Sequence, residues 1–159
     1  MQTEKYNLIQ DSEYIRIFKS NSLVIECKQE RNWYGKVTKD IYIDKKLVIR
    51  GTQIVAFLNL IYKFKIKQNF LSKEINFIEG TNKLKIENKV YEKIDSKTFL
   101  SLSYSVNLND LKICNCKFAS KLLNFSTTTK YEIEFPTEND SNLNTLIYIC
   151  LINPEVSVD

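Results

Sequence analysis

"LNTLIYICLINPE", residues 143–155, is the stretch on which the fold turns. Asp140, Ser141 and Asn142 stand just before it and bring the side-chain oxygens that cap helix N-termini. Leu143, Leu146, Ile147, Cys150 and Leu151 then follow at the spacings of a single helical face. Tyr148, Ile149 and Ile152 fill the opposite face. Asn153-Pro154 ends the run, because the residue before a proline is driven out of the α region. Isoleucine and tyrosine also suit strands, and the capping residues favour the helix. A helix that is apolar all round must be surrounded by protein.

The chain around this stretch alternates with a period of two, the signature of strands. In EYIRIFK (13–19), Ile15 and Ile17 share a side against Tyr14, Arg16 and Phe18; SLVIECK (22–28) follows after Ser20-Asn21, as in a hairpin. DIYIDKKLVIR (40–50) sets Ile41, Ile43, Leu47 and Ile49 on one side, and Asp44-Lys45-Lys46 either turns there or runs straight through. IYKFKIKQ (61–68) opposes Tyr62, Phe64 and Ile66 to Lys63, Lys65 and Lys67. KLKIENKVY (83–91), FLSLSYSV (99–106), LKICNCKF (111–118) and KYEIEF (130–135) continue the pattern, with Leu102 placed on the side of Tyr104 and Val106. GTQIVAFLNLIY (51–62) reads equally as a short helix or a buried strand. With only 3 glycines and 2 prolines, the turns must rely on Asn, Asp, Ser and Lys, as in Ser20-Asn21, Glu87-Asn88 and Asn107-Leu108-Asn109-Asp110.

No long amphipathic helices interleave these runs, so a parallel βαβ sheet is not expected. The expectation is a mostly β protein: a closed antiparallel β-barrel around a C-terminal hydrophobic helix. The alternative is an α+β arrangement, an open antiparallel sheet packed on that helix. A single domain should span residues 1–159, with barrel strands over about 12–136 and the central helix over about 141–153. Closing the sheet round the helix also removes unpaired edges.

The composition narrows the function classes. The 159 residues include no histidine, which removes the usual general base near neutral pH and the commonest metal ligand. There is no Gly-x-Ser-x-Gly motif and no phosphate-cradling glycine loop. Glu132 and Glu134 share a face, read as solvent-exposed. No catalytic residue is assigned, and a non-enzyme without cofactor is expected. Of the four cysteines, Cys114 and Cys116 point the same way on a strand, which disfavours a mutual disulfide. Cys27 and Cys150 are distant singles, poor spacing for zinc. Reduced structural thiols are the favoured reading over a disulfide, and a disulfide over a metal.

The net charge of +4 is too mild for nucleic acid to be the expected partner. No apolar leader follows Met1, and no apolar run approaches the ~20 residues that span a bilayer, so a cytoplasmic protein is expected. Two basic groups are candidates for an anion, lipid or partner site. Lys63, Lys65 and Lys67 project from one side of a strand about 7 Å apart. Lys36, Lys39, Lys45, Lys46 and Arg50 form the second group. Lysines on strands are more often simply the solvated face. RNWYGK (31–36) adds Trp33 and Tyr34, read first as a cap on the barrel end or a bulge at Gly35, and second as an exposed partner-binding loop.

One family resemblance joins these readings. NDLKICNCKFASKLLNFSTTTKYEIEFPTENDSNLNTLIYICLINPE resembles the end of a tubby-like, LURP-one-related domain: a strand, a basic linker, a Y-x-I/V-x-F strand, a polar cap and a hydrophobic helix. DIYIDKKLVI, NKLKIENKVY and KIDSKTFLSLSYSV are similar to the short strands and polar turns repeated in that family. The resemblance covers about residues 12–153. It implies a closed antiparallel barrel around a central helix, and anionic phosphoinositide headgroups bound through basic surface residues. The resulting expectation is a non-catalytic tubby-like binding domain for an acidic lipid headgroup or protein partner. The alternative is an immunity protein of bacterial type that neutralises a toxin by occluding it, by analogy with small strand-rich proteins lacking catalytic residues.

Overall fold

A computed structural model of the chain describes residues 3–33, 35–55, 62–78, 81–95, 102–123 and 127–152. These residues form twelve strands in one antiparallel sheet and a C-terminal helix. The strands are β1 (Glu4–Gln10), β2 (Tyr14–Lys19), β3 (Ser22–Arg31), β4 (Lys36–Ile43), β5 (Lys46–Val55) and β6 (Tyr62–Asn69), then β7 (Ile75–Phe77), β8 (Lys83–Ile86), β9 (Lys89–Asp95), β10 (Tyr104–Leu108), β11 (Leu111–Leu123) and β12 (Thr127–Phe135). The helix α1 is Asn142–Ile152. In space the order runs β6-β5-β4-β3-β2-β1-β12-β11-β10-β9-β8-β7. The sheet is nearly closed as a barrel, as expected from the helix with no polar face.

The turns show how so few glycines suffice. Ser20 and Asn21, Asp44 and Lys45, and Asn109 and Asp110 all have positive φ, the paired left-handed conformation of a tight two-residue hairpin turn. The ambiguous Asp44-Lys45-Lys46 segment is therefore a turn. Each of these hairpins then carries one extra residue in its second strand. The pairings Ile17↔Ile25 and Phe18↔Leu23 leave out Val24. In the same way Val48 is left out between β4 and β5, and Ile113 between β10 and β11. All three bulged residues are half-buried and pack on the core. The bulge thus bends the strand and tips one more apolar side chain inward at the rim. The first two hairpins also share a charged rung: Arg16 with Glu26 (2.8 Å), and Asp40 with Arg50 at the matching place with the signs exchanged (2.6 Å).

Alternation then builds the core. Ile15, Ile17, Ile25, Cys27, Ile41, Ile49, Leu84, Tyr91, Val106, Cys116 and Ile133 face inward and are buried. Every residue of α1 except Leu143 is buried, Leu146 to Cys150 at 1% exposure or less. Four separate parts of the barrel bond to this helix. On β1, Glu4 Oε2 accepts from Asn142 Nδ2 at 2.6 Å. Lys39, on β4, donates to the carbonyls of Cys150 (2.8 Å) and Leu151 (3.3 Å). Tyr148 donates its hydroxyl to the Asn82 carbonyl (2.6 Å), and its ring lies 5.7 Å from that of Tyr91 on β9. Lys73, between β6 and β7, donates to Asn144 Oδ1 (3.1 Å).

α1 has no acidic residue in its first turn and no basic residue in its last. The barrel provides both: Glu4 at the N-terminal end and Lys39 at the C-terminal end, each on the side favoured by the helix dipole. A rod without a polar stripe has little to fix its polarity, and these two side chains set it. At the cap itself, the Ser141 carbonyl accepts the Thr145 N–H (3.4 Å) and Asn139 Oδ1 holds the Ser141 N–H (3.0 Å).

Two expectations about the strands need correction. Strands begin at Glu4, not near residue 12: β1 pairs with β2 and β12 and joins the two halves of the barrel. Its inward side reads Glu4, Tyr6, Leu8, Gln10, and the two polar members hide the alternation. Leu102 lies outside the strands and is exposed. Of the ambiguous 51–62 stretch, Gly51 to Val55 belong to β5 and Tyr62 to β6; residues 56–61 lie outside the described residues. Gly51 is required by close approach, because a Cβ there would collide with the Phe64 ring.

The Glu4 cluster yields a pH prediction. Besides Asn142, its carboxylate accepts from Tyr6 OH (2.7 Å) and Lys19 Nζ (2.5 Å), and Lys19 also reaches Glu138 (3.0 Å). Burial pushes the Glu4 carboxyl upward, but the bonds from Lys19, Asn142 and Tyr6 together hold it below its ordinary 4.5. Burial and the same carboxylate push the Tyr6 hydroxyl up to about 12. A lowered folded-state value means that the unfolded chain takes the proton more readily. The stabilisation is therefore complete above the ordinary carboxyl value and is lost as pH falls through the folded one. Urea melts of the wild type and Glu4→Gln should converge in acid and separate by about 1–3 kcal/mol at pH 7.

Candidate functional site

The register of β4, β5 and β6 decides where the basic candidates lie. Lys36 pairs with Ile54, which pairs with Lys63; Thr38 pairs with Thr52, which pairs with Lys65; Asp40 pairs with Arg50. Neighbouring strands lie about 4.8 Å apart, so Lys36 and Lys63 flank Ile54 within about 10 Å. Lys63 and Lys65 are exposed on the outer wall, Lys67 is exposed as the residue left out of the ladder between Gly51↔Ile66 and Arg50↔Gln68, and Phe64 and Ile66 turn to the core. The fold thus brings Lys36, from the second basic group, to the same face as the lysine stripe. Ile54, 48% exposed, sits at the centre.

Elsewhere among the described residues some strand lysines are paired with carboxylates and others, Lys85, Lys89, Lys112 and Lys130, are not. Lys5 and Lys117 pair with Glu134, Lys28 with Glu30, Lys83 with Glu92 and Lys93 with Asp95. Arg50 belongs to this kind: it forms a two-pronged pair with Asp40 at 2.7 and 2.6 Å. Lys36, Lys63, Lys65 and Lys67 have no carboxylate partner among the described residues. Lys45 and Lys46 stand at the β4–β5 hairpin tip, at the other end of the strands from Lys36.

Lys39 corrects an expectation. It is fully buried, facing the lumen, and its ammonium is engaged by the end of α1. The inward positions of β4 are Val37, Lys39 and Ile41, so strand parity carries Lys39 inside. It has no place in an outer site.

Trp33 is 86% exposed, so it does not cap the barrel end. The expected bulge at Gly35 fits the geometry: the Gly35 N–H bonds back to the Asn32 carbonyl (3.1 Å), and the positive φ of Gly35 is that of a hairpin glycine bulge, beyond which β3 and β4 pair without a shift. The loop of Trp33 is held by Asn32, whose N–H donates to the Lys36 carbonyl (2.9 Å) and whose Oδ1 accepts the Lys36 N–H (2.9 Å); Gly35 takes the φ of 78° that closes the turn. Lys36 follows at the base of this loop, so the loop that carries Trp33 adjoins the end of β4 at which Lys36 stands. Tyr34 lies outside the described residues.

No protein-family model, curated protein or solved structure matches the chain.

The remaining chemistry-bearing groups are placed as follows. The four thiols are free and buried. Burial pushes the Cys27 thiol up to about 11 and the Cys150 thiol well above its ordinary value. The Cys116 sulfur, and then burial, raise Cys114 as well. Such thiols are poor nucleophiles. Among the described residues no cluster of cysteines and carboxylates is arranged to hold a metal, and no helix is long and apolar enough to cross a membrane. A groove of about 570 Å³ on the outer wall is lined by Leu23, Val24, Glu26, Tyr42, Asp44 and Lys45. Its two carboxylates come from different hairpins, and Glu26 is engaged by Arg16.

Ile54 is the member of the basic face that sequence reasoning missed. It opens the apolar run 54–58 and reads as core. The signal that would have found it is parity: Gly51 and Gln53 are inward-facing, which sends Ile54 outward, but neither is apolar enough to announce the inner side.

Proposed function

We propose that the protein is a non-catalytic binding domain, tubby-like in architecture, that docks the outer face of β4–β6 against an acidic surface. The observation that carries this reading is the grouping of cations beside an exposed apolar side chain on one stretch of the barrel wall. Lys36 and Lys63 flank the exposed Ile54, Lys65 and Lys67 continue along the same strand, and none of the four has a carboxylate partner among the described residues. The exposed Trp33 on the adjoining loop adds an aromatic anchor of the kind that binding surfaces favour. The resemblance to tubby-like domains supports a headgroup ligand, and a cytoplasmic setting suits it, since that leaflet carries the anionic lipid.

Sedimentation with phosphatidylserine vesicles and retention by immobilised polyglutamate test the reading together. The wild type should bind at least one of the two at low ionic strength and release it in high salt, as the screening length shortens. At about 1 kcal/mol per lysine, the triple variant Lys63→Glu/Lys65→Glu/Lys67→Glu should bind about a hundredfold more weakly. Its melting temperature should change little, because the three side chains are exposed. A wild type indifferent to both acidic probes at low salt would contradict the reading. The second reading, an inhibitor of immunity type that occludes a partner protein, is favoured by a separate feature, the edge that β6 presents at the barrel seam.

A further inference from the structure

Closing a barrel removes the unpaired edges of its sheet, and this barrel stops one ladder short. β6 and β7 are the two ends of the strand order, and among the described residues β6 is laddered to β5 alone. β7 has three residues and β6 has eight, so β7 is too short to line the whole of β6. Among the described residues the rings of Phe64 and Phe77 meet across the seam at 5.9 Å. Along the rest of its length the seam-side backbone N–H and C=O groups of β6 have no ladder partner among the described residues, and lysines at alternate positions are exposed.

We propose that β6 accepts an extended acidic segment of a partner protein as an added strand. The inference rests on the acidic-partner reading above and names the partner. Backbone groups of the segment would pair with the free edge of β6, as in other strand-addition complexes. Acidic side chains at every second position would fall beside Lys63, Lys65 and Lys67, and the residues between them would turn towards the half-buried Phe64 and Ile66. A second copy of this chain is a poor occupant. Antiparallel pairing of β6 with itself about Lys65 sets lysine opposite lysine, which is destabilising. A membrane would use the lysines but has no use for the strand edge.

The test is fluorescence anisotropy of the full chain with a labelled heptapeptide, SEVEVES, and two N-methylated versions, one methylated on both valines and the other on all three glutamates. Side chains and charge are unchanged. Alternate N–H groups of a strand point to opposite sides. Strand addition therefore requires one methylated set to weaken binding about tenfold or more and the other to leave it within about twofold. The triple lysine variant should not bind the parent peptide. If both methylated peptides bind like the parent, strand addition is overturned while the acidic-partner reading stands. Strand addition is likewise overturned, and the acidic-partner reading kept, if phosphatidylserine vesicles or polyglutamate bind and the peptide does not. If peptide, polyglutamate and vesicles are all ignored, both readings fall together. Dimerisation abolished by the lysine substitutions would assign the edge to a second copy and overturn the proposal.

Discussion

Leu146→Asp, Ile147→Asp and Tyr148→Asp are each expected to leave the protein unfolded at room temperature. Successive residues of a helix point about 100° apart, so these three sample three sides of the rod. All three are buried at 1% exposure or less. An unpaired carboxylate in such a place costs several kcal/mol, and removing the apolar side chain costs a further ~2–5 kcal/mol. The whole stability of a domain of this size is about 5–15 kcal/mol. A helix lying on one side of an open sheet would behave differently, since one of the three sides would tolerate aspartate at a cost of about 1 kcal/mol or less. Circular dichroism and urea titration separate these outcomes. Leu146→Met, which nearly conserves volume, should cost less than about 1.5 kcal/mol and serves as the control.

The second large effect is expected at Lys39. Lys39→Met keeps the packing of the stem but withdraws the donor from the Cys150 and Leu151 carbonyls. Carbonyls left without a partner in the core should cost about 1–3 kcal/mol in chemical denaturation. Lys39→Glu should be far worse, because it sets a carboxylate against the negative end of the helix dipole inside the barrel. Binding of acidic probes by the folded Lys39→Met protein should match the wild type, since Nζ does not reach the outer face. A Lys39→Met protein with full stability, or one that has lost acidic binding, would contradict the placement of this side chain.

Much of this architecture is legible in the residues. The helix can be read from an apolar run with polar residues before it and a proline after it. The hairpin turns can be read from Ser20-Asn21 and from Asn107-Leu108-Asn109-Asp110, within which Asn109 and Asp110 take the positive φ. What is not legible shares one physical cause, polar residues on the inner side. Glu4 and Gln10 obscure β1, and the burial of Glu4 has its reason outside the strand, in Asn142 on the helix. Lys39 reads as surface until strand parity and the helix end are both known. The basic face depends on register: a turn at Asp44-Lys45 brings β5 back along β4, and only then does Lys36 come level with Ile54 and Lys63. The charge pattern alone separates these residues into two groups along the chain.

The enclosed helix is tested most directly by nuclear Overhauser contacts in an isotope-labelled sample. Protons of α1 should show simultaneous contacts to walls far apart in the strand order: Tyr148 to Tyr91 on β9, Cys150 to Lys39 on β4, and Asn142 to Glu4 on β1. Contacts from α1 to β3 and β4 alone, with none between Tyr148 and Tyr91, would place the helix against one side of an open sheet and contradict the enclosure of α1 by the barrel.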